Sequence, residues 1–184
     1  MRYLLVLTFL LAGCSSPAPR FILEPQVFWP QEQRLTQTEF SFALNDQRPY
    51  RHTLTIRRGD SSQQQATSND LRATLEQNLQ QALMEQGARI NANSSVKLTI
   101  QLNQLQATIN QRPLDHEVIN QVAMTVMVQH PDGQFSKPYG GDSRFTAPFR
   151  ADIAAVEREL RILTEQVINQ ILQDSSWQTE LRRR

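Results

Sequence analysis

Val118-Ile119-Asn120-Gln121-Val122-Ala123-Met124-Thr125-Val126-Met127-Val128 is the stretch on which the fold turns. Val118, Val122, Met124, Val126 and Val128 share one face at the period of two that a strand imposes. Ile119, Ala123 and Met127 make the opposite face partly apolar as well, the pattern of a strand with neighbours on both sides. His130-Pro131-Asp132-Gly133-Gln134 then closes a hairpin, with Asp-Gly expected to supply positive φ. The return strand runs through Phe135, Lys137, Tyr139 and Phe145, and Gly140-Gly141 predicts a bulge within it.

Upstream of this hairpin, Val96, Leu98, Ile100 and Leu102 alternate, and the apolar set resumes at Leu105, Ala107 and Ile109 with opposite parity. One extra residue near Asn103 and Gln104 restores a single buried face, so a β-bulge is predicted there. Phe40, Phe42 and Leu44 form an earlier strand and Thr53 to Ile56 a short second one, with a polar Ser and Gln loop after it. Leu71, Leu75, Leu79 and Leu83 repeat every four residues, which predicts an amphipathic helix. Ser68 is its expected cap, Asp70 lies in its first turn and Gly87 is its stop. A second helix begins at an Asp152 cap, carries Ile153, Val156, Leu160, Leu163, Val167 and Ile171 on one stripe, and ends near Asp174. Glu157 and Arg161 are spaced to pair on its outer face, and Trp177 and Leu181 are expected to pack loosely beyond it. The order β-β-α-β-β-β-α predicts an α+β fold, a two-layer sandwich with a mainly antiparallel sheet and two helices on one face.

The N-terminus decides location. Met1 and Arg2 precede an apolar stretch from Tyr3 to Leu11. At roughly half the ~20 residues of a membrane span, that stretch reads as a cleaved secretory leader. Leu11-Ala12-Gly13-Cys14 resembles the lipobox of bacterial lipoproteins, which implies cleavage after residue 13 and diacylglycerol on Cys14. By the same resemblance, Ser15 lacks the carboxylate that retains lipoproteins at the inner membrane, so the expected address is the periplasmic face of the outer membrane. Residues 14–38 carry Pro17, Pro19, Pro25 and Pro30 and are read as a tether. A Pro-rich stretch of this length reaches about 85 Å at most. Its apolar residues, Phe28 and Trp29 among them, are candidates for docking on the domain or touching a partner. The single domain is placed at 39–184.

Removing residues 1–13 from the 184 leaves 171, enough for one core. The 19 basic and 18 acidic side chains become 18 of each once Arg2 departs, so no global field draws in nucleic acid. Cys14 is the single cysteine and is consumed by lipid, leaving stability to packing.

The Asp46-Gln47-Arg48 turn, Ser68-Asn69-Asp70-Leu71-Arg72, Gly87, the Val96-Lys97-Leu98-Thr99-Ile100 strand and a helix ending before Asp174-Ser175 are together similar to the YajG-like lipoprotein family. The resemblance implies a small envelope lipoprotein of Gram-negative bacteria whose biochemical role is not established, and it transfers no catalytic residues.

The residues themselves point away from catalysis. His52, His116 and His130 lack the close spacing of metal-ligating motifs, so no metal and no cofactor are expected. No Gly-x-Ser-x-Gly elbow or phosphate-cradling glycine loop occurs. Asp115-His116-Glu117 reads as a solvated loop, and Arg57-Arg58 and Arg182-Arg183-Arg184 as solvated clusters. Asp46 and Arg48 are the one polar pair placed to contact a ligand or to brace their own turn. The expected function is a non-catalytic, membrane-anchored module that binds an envelope protein or cell-wall component. The alternative is a hydrolase acting on cell-wall material.

Overall fold

The computed structural model describes residues 20–27 and 33–183. Its elements are β1 (Glu39–Asp46), β2 (Leu54–Arg58), β3 (Ser61–Gln65), α1 (Leu71–Glu85), β4 (Arg89–Ile90), β5 (Lys97–Gln111), β6 (Asp115–His130), β7 (Gly133–Pro148), α2 (Ile153–Gln173) and α3 (Ser175–Glu180). The α+β class holds. The sheet, however, is mixed: β5, β6 and β7 form an antiparallel meander, while β1 and β2 both lie parallel to β5 on its other edge. Parallel neighbours need a long crossover, and α1 supplies it between β1 and β5. The Ser and Gln segment expected as a loop is β3, an exposed strand paired with β2, and β4 adds two residues beside β1.

β6 is the central strand, paired along its length on both sides, with Val118, Val122, Met124, Val126 and Val128 buried. The bulge in β5 lies where the parity change placed it: the register shifts between Leu102 and Gln104, and Leu98, Ile100, Leu102, Leu105, Ala107 and Ile109 all reach the core. No shift interrupts β7, so the bulge expected at Gly140-Gly141 is absent. Gly141 serves packing instead. A Cβ there would stand 2.9 Å from Leu163 Cδ1 and 3.5 Å from Val167 Cγ2, so α2 seats on the sheet at a point with no side chain in the way. At the β6–β7 turn Pro131 and Asp132 form the tip, and neither Asp132 nor Gly133 adopts positive φ.

α1 buries Leu71, Leu75, Leu79, Ala82 and Leu83 as its periodicity requires. Its cap is Asp70 rather than Ser68, the carboxylate accepting from Ala73 N at 3.1 Å. At its end Gly87 takes φ +90, Gly87 N donates to Met84 O and Ala88 N to Leu83 O, a Schellman closure that only an achiral residue enters freely. α2 starts and stops at Asp152 and Asp174 as expected. Arg161 pairs with Glu165 at 2.6 Å rather than with Glu157, whose carboxylate accepts from Ile22 N at 2.8 Å. Trp177, expected to pack loosely, is 1 % exposed, and its Nε1 donates to Ile171 O at 2.7 Å.

α1 covers β1 and β4, and α2 covers β5, β6 and β7. Among the described residues no Cα of α1 comes within 8 Å of one in α2. The trough between them is filled by residues 20–27. Ile22 N and Gln26 N donate to Glu157 and Glu165 of α2, while Pro25 O accepts from Asn78 of α1 and Leu23 exchanges hydrogen bonds with Asn69 just before it. Phe21 and Leu23, with Leu35 further on, are fully buried in the core. The core therefore reaches back beyond residue 39, and residues 20–27 form a strap on the domain rather than a free tether.

Candidate functional site

β1 and β2 pair with the same edge of β5 in succession. β1 ends opposite Leu102 and β2 begins opposite Ala107, so over Asn103–Gln106 that edge has no strand beside it. The gap coincides with the bulge, where the extra residue breaks the ladder. A cleft of about 360 Å³ opens there, lined by Arg48, Pro49, Tyr50 and His52 from the β1–β2 connection and by Asn103–Gln106 from β5.

Asp46 and Arg48 are brought together as the sequence suggests. Arg48 Nε donates to Asp46 Oδ1 at 2.9 Å and Nη2 to Oδ2 at 2.8 Å, while Nη1 reaches Thr53 Oγ1 at 3.4 Å. Each side chain is 6 % exposed. The hydrogen bonds from Arg48, opposed by burial, hold the Asp46 carboxyl below the usual carboxylate range. With its fork so engaged, the pair clasps the turn, and Arg48 forms part of the cleft wall.

The freer groups are Tyr50, His52 and Asn103, none of which the sequence reading singles out as a site. Tyr50 is 67 % exposed, and its ring stacks on His52 with centroids 5.3 Å apart. The one available signal is an aromatic and an imidazole two residues apart in a turn ahead of a strand. Asn103 Oδ1 is buried and has no hydrogen-bond partner. Such a state costs about 1–3 kcal/mol unless a ligand or solvent donor meets it. Gln104 Nε2 donates to Gln121 Oε1 and Gln106 Nε2 to Thr55 Oγ1, so the amides beside it are held in place. The cleft offers an aromatic face, fixed amides and an unsatisfied carbonyl oxygen. It aligns no nucleophile with a base.

Elsewhere, Asp115-His116-Glu117 begins β6 instead of forming a solvated loop. His116 is 5 % exposed, and its Nδ1 donates to Phe149 O at 3.0 Å. His130 lies at the opposite end of the same strand. No cluster of three or more His, Cys, Asp or Glu able to hold a metal occurs among the described residues. Near the end of α2, Asp174 accepts from Lys137 Nζ and Tyr139 OH, each at 2.5 Å, and from Ser176 N at 2.8 Å. Burial would raise the Asp174 carboxyl, but these hydrogen bonds prevail and hold it far below the usual range, while burial and Asp174 together push the Tyr139 phenol up. This cluster ties α2 and α3 to β7. Cys14, Phe28 and Trp29 lie outside the described residues.

Residues 25–182 match the family described as "Uncharacterized lipoprotein", and the chain belongs to that family. It is 24% identical over 174 residues to the uncharacterized lipoprotein YajG of Escherichia coli K12, covering 94% of this chain and 91% of that protein, and matches YajG of E. coli O6:H1 to the same extent. Protein XCC0632 from Xanthomonas campestris shares the fold with a TM-score of 0.56 at 15% identity, over 88% of this chain and 98% of the other. Among the described residues no helix is long and apolar enough to cross a membrane.

Proposed function

We propose that this chain is an envelope lipoprotein held by diacylglycerol on Cys14 at the periplasmic face of the outer membrane, and that its domain is a non-catalytic binding module. The binding site is the cleft between β1 and β2, and its ligand is an envelope component rich in hydroxyl and amide groups, as cell-wall material is. The observation that carries the reading is Asn103. A buried, unpaired carbonyl oxygen beside an exposed aromatic ring and an open strand edge is a place where a donor-bearing ligand replaces a missing partner. The Leu-Ala-Gly-Cys motif and membership of a lipoprotein family support the anchor.

Two measurements test it. Mass spectrometry of the mature protein is expected to find a lipidated cysteine at its start, and an unmodified Cys14 refutes the anchor. In cosedimentation with purified cell-wall sacculi, the protein is expected to pellet and the Tyr50→Ser and Asn103→Ala variants to remain in solution. Equal pelleting of folded wild type and variants removes the cleft as the site.

A further inference from the structure

The two most exposed large apolar side chains among the described residues are neighbours. Leu114, in the β5–β6 turn, is 81 % exposed, and Phe149, just after β7, is 76 % exposed. They are joined backbone to backbone, Phe149 N donating to Leu114 O at 2.8 Å. Phe149 holds φ 63, a left-handed conformation unfavourable for an aromatic residue. Three hydrogen bonds lock it there: its own N–H to Leu114, and its carbonyl oxygen accepting from His116 Nδ1 and Gln111 Nε2, each at 3.0 Å. The fold thus strains a backbone in order to hold an aromatic ring in solvent.

Charge surrounds the pair. Arg58 and Arg150 line an open cleft of about 440 Å³ together with Gln111, Pro113 and Phe149, and neither forms an ion pair among the described residues. Arg57, opposite Asn110 near the end of β5, is exposed at the same end, and Arg20 is exposed at the start of the strap. The carboxylates nearby are mostly engaged: Asp115 with Arg112 at 2.8 Å, Glu117 with Asn110 Nδ2 at 3.0 Å, Asp152 as a helix cap, and Glu157 with Ile22 N. Asp60, in the β2–β3 turn, remains open, against four arginines.

The strap gives this end its direction. α2 starts here, and residues 20–27 run along it from its first turns: Ile22 N meets Glu157 and Gln26 N meets Glu165, while Phe21 O accepts from Ser68 N just ahead of α1. Only residues 15–19 separate docked Arg20 from Cys14. A leash of that length reaches about 20 Å at full extension. β6 has 16 residues. A strand of that length carries the other end of the sheet about 50 Å away. An acylated Cys14 therefore brings the Leu114 and Phe149 end toward the bilayer and keeps the Pro131 hairpin distant.

We propose that Leu114 and Phe149, flanked by Arg58 and Arg150, form a membrane-contact tip that inserts at the headgroup level of the bilayer holding the Cys14 lipid. Guanidinium groups beside an exposed aromatic and a leucine match the phosphate and upper acyl layers of that interface. The inference rests on the lipid anchor proposed above.

The test uses the lipidated full chain, purified from membranes and reconstituted into phosphatidylethanolamine/phosphatidylglycerol vesicles. With Cys14 acylated, Phe149→Cys or Leu114→Cys introduces the sole free thiol, to carry an environment-sensitive nitrobenzoxadiazole label. Both labels are expected to shift to the blue and to be quenched by headgroup nitroxide lipids, and a label at Gln134→Cys near the distant hairpin to do neither. The combined Arg58→Glu and Arg150→Glu changes are expected to abolish the quenching at Leu114→Cys. Vesicle flotation separates the two readings. A chain that floats while its Phe149 and Leu114 labels stay as aqueous as the Gln134 label overturns the tip and leaves the anchor standing, which is also the result if that end docks on a protein. A chain that does not float removes both.

Discussion

At one end of the domain Trp177 and Leu181 are 1 % and 4 % exposed; at the other Leu114 and Phe149 are 81 % and 76 % exposed. The same sheet runs between them. At the distal end the chain adds α3, sinks an indole against the end of α2 and ties it to β7 through Lys137, Tyr139 and Asp174. At the proximal end Gln111 and His116 brace the loops by their backbones and leave the apolar side chains outside. The sealed end serves stability. The open end is braced through its backbone without being buried, the arrangement the proposed membrane tip requires.

Loss of the chain ahead of β1, strap included, has the largest expected effect. Phe21, Leu23 and Leu35 are wholly buried. Burial at about 2 kcal/mol for each such side chain sums to about 6 kcal/mol for the set. That is much of the stability of a typical domain, about 5–15 kcal/mol. A fragment starting at Glu39 is therefore expected to be severely destabilised in urea against one starting at Arg20. Equal midpoints would restore residue 39 as the domain boundary. Next comes the distal seal: Trp177→Ala is expected to lower stability by about 4 kcal/mol, through a cavity and the loss of the indole's hydrogen bond to Ile171 O. An effect below that of Leu114→Ala would invert the contrast between the ends.

Asp174 sharpens the same contrast through pH. Its folded carboxyl lies below the ordinary value of about 3.9, so the stabilisation it confers is fully present above that value and is lost as pH falls through the folded one. Tyr139 acts in the opposite direction: its folded phenol is raised, so its contribution is present below about 10 and is lost as pH climbs through the folded value. Asp174→Asn is expected to cost about 2 kcal/mol at neutral pH and to flatten the acid limb of a stability profile. An unchanged acid limb would show that Asp174 is not a clasp.

How much of this can be read from the chain follows from where each signal resides. The α1 and α2 stripes and the β5 bulge are statements of local period, and Leu71 to Leu83 or the parity change around Asn103 carry them whole. Parallel pairing of β1 and β2 with β5 is a long-range choice that no local alternation encodes. β3 is polar on both faces, so its pairing with β2 leaves no hydrophobic trace. The strap is concealed by Pro25 and the prolines on either side of it, which argue for extension and do not show whether an extended chain is free or lies in a trough. Gly140-Gly141 suggests a bulge because a missing side chain reads alike whether the backbone bends or a helix approaches. At the candidate site, Asp46 and Arg48 are legible because they sit two residues apart. The gap opposite Asn103–Gln106 arises only when two strands share one edge.

The smallest expected effect probes the open end directly. Phe149 is displayed at the expense of backbone strain, holding φ 63. Phe149→Gly removes a left-handed penalty of about 1–2 kcal/mol. It incurs about 0.5–1 kcal/mol of added chain entropy. The balance is a gain of about 0.5 kcal/mol, detectable as a slightly higher urea midpoint, because a ring so largely exposed has little burial to lose. Leu114→Ser, in a side chain almost entirely in solvent, is expected to shift stability by less than about 0.5 kcal/mol. Destabilisation of more than about 1 kcal/mol by Phe149→Gly would mean that the ring supports the fold where it stands. A neutral or stabilising result shows a residue held in a strained conformation against the interest of the fold, as expected of a side chain kept for contact outside the domain.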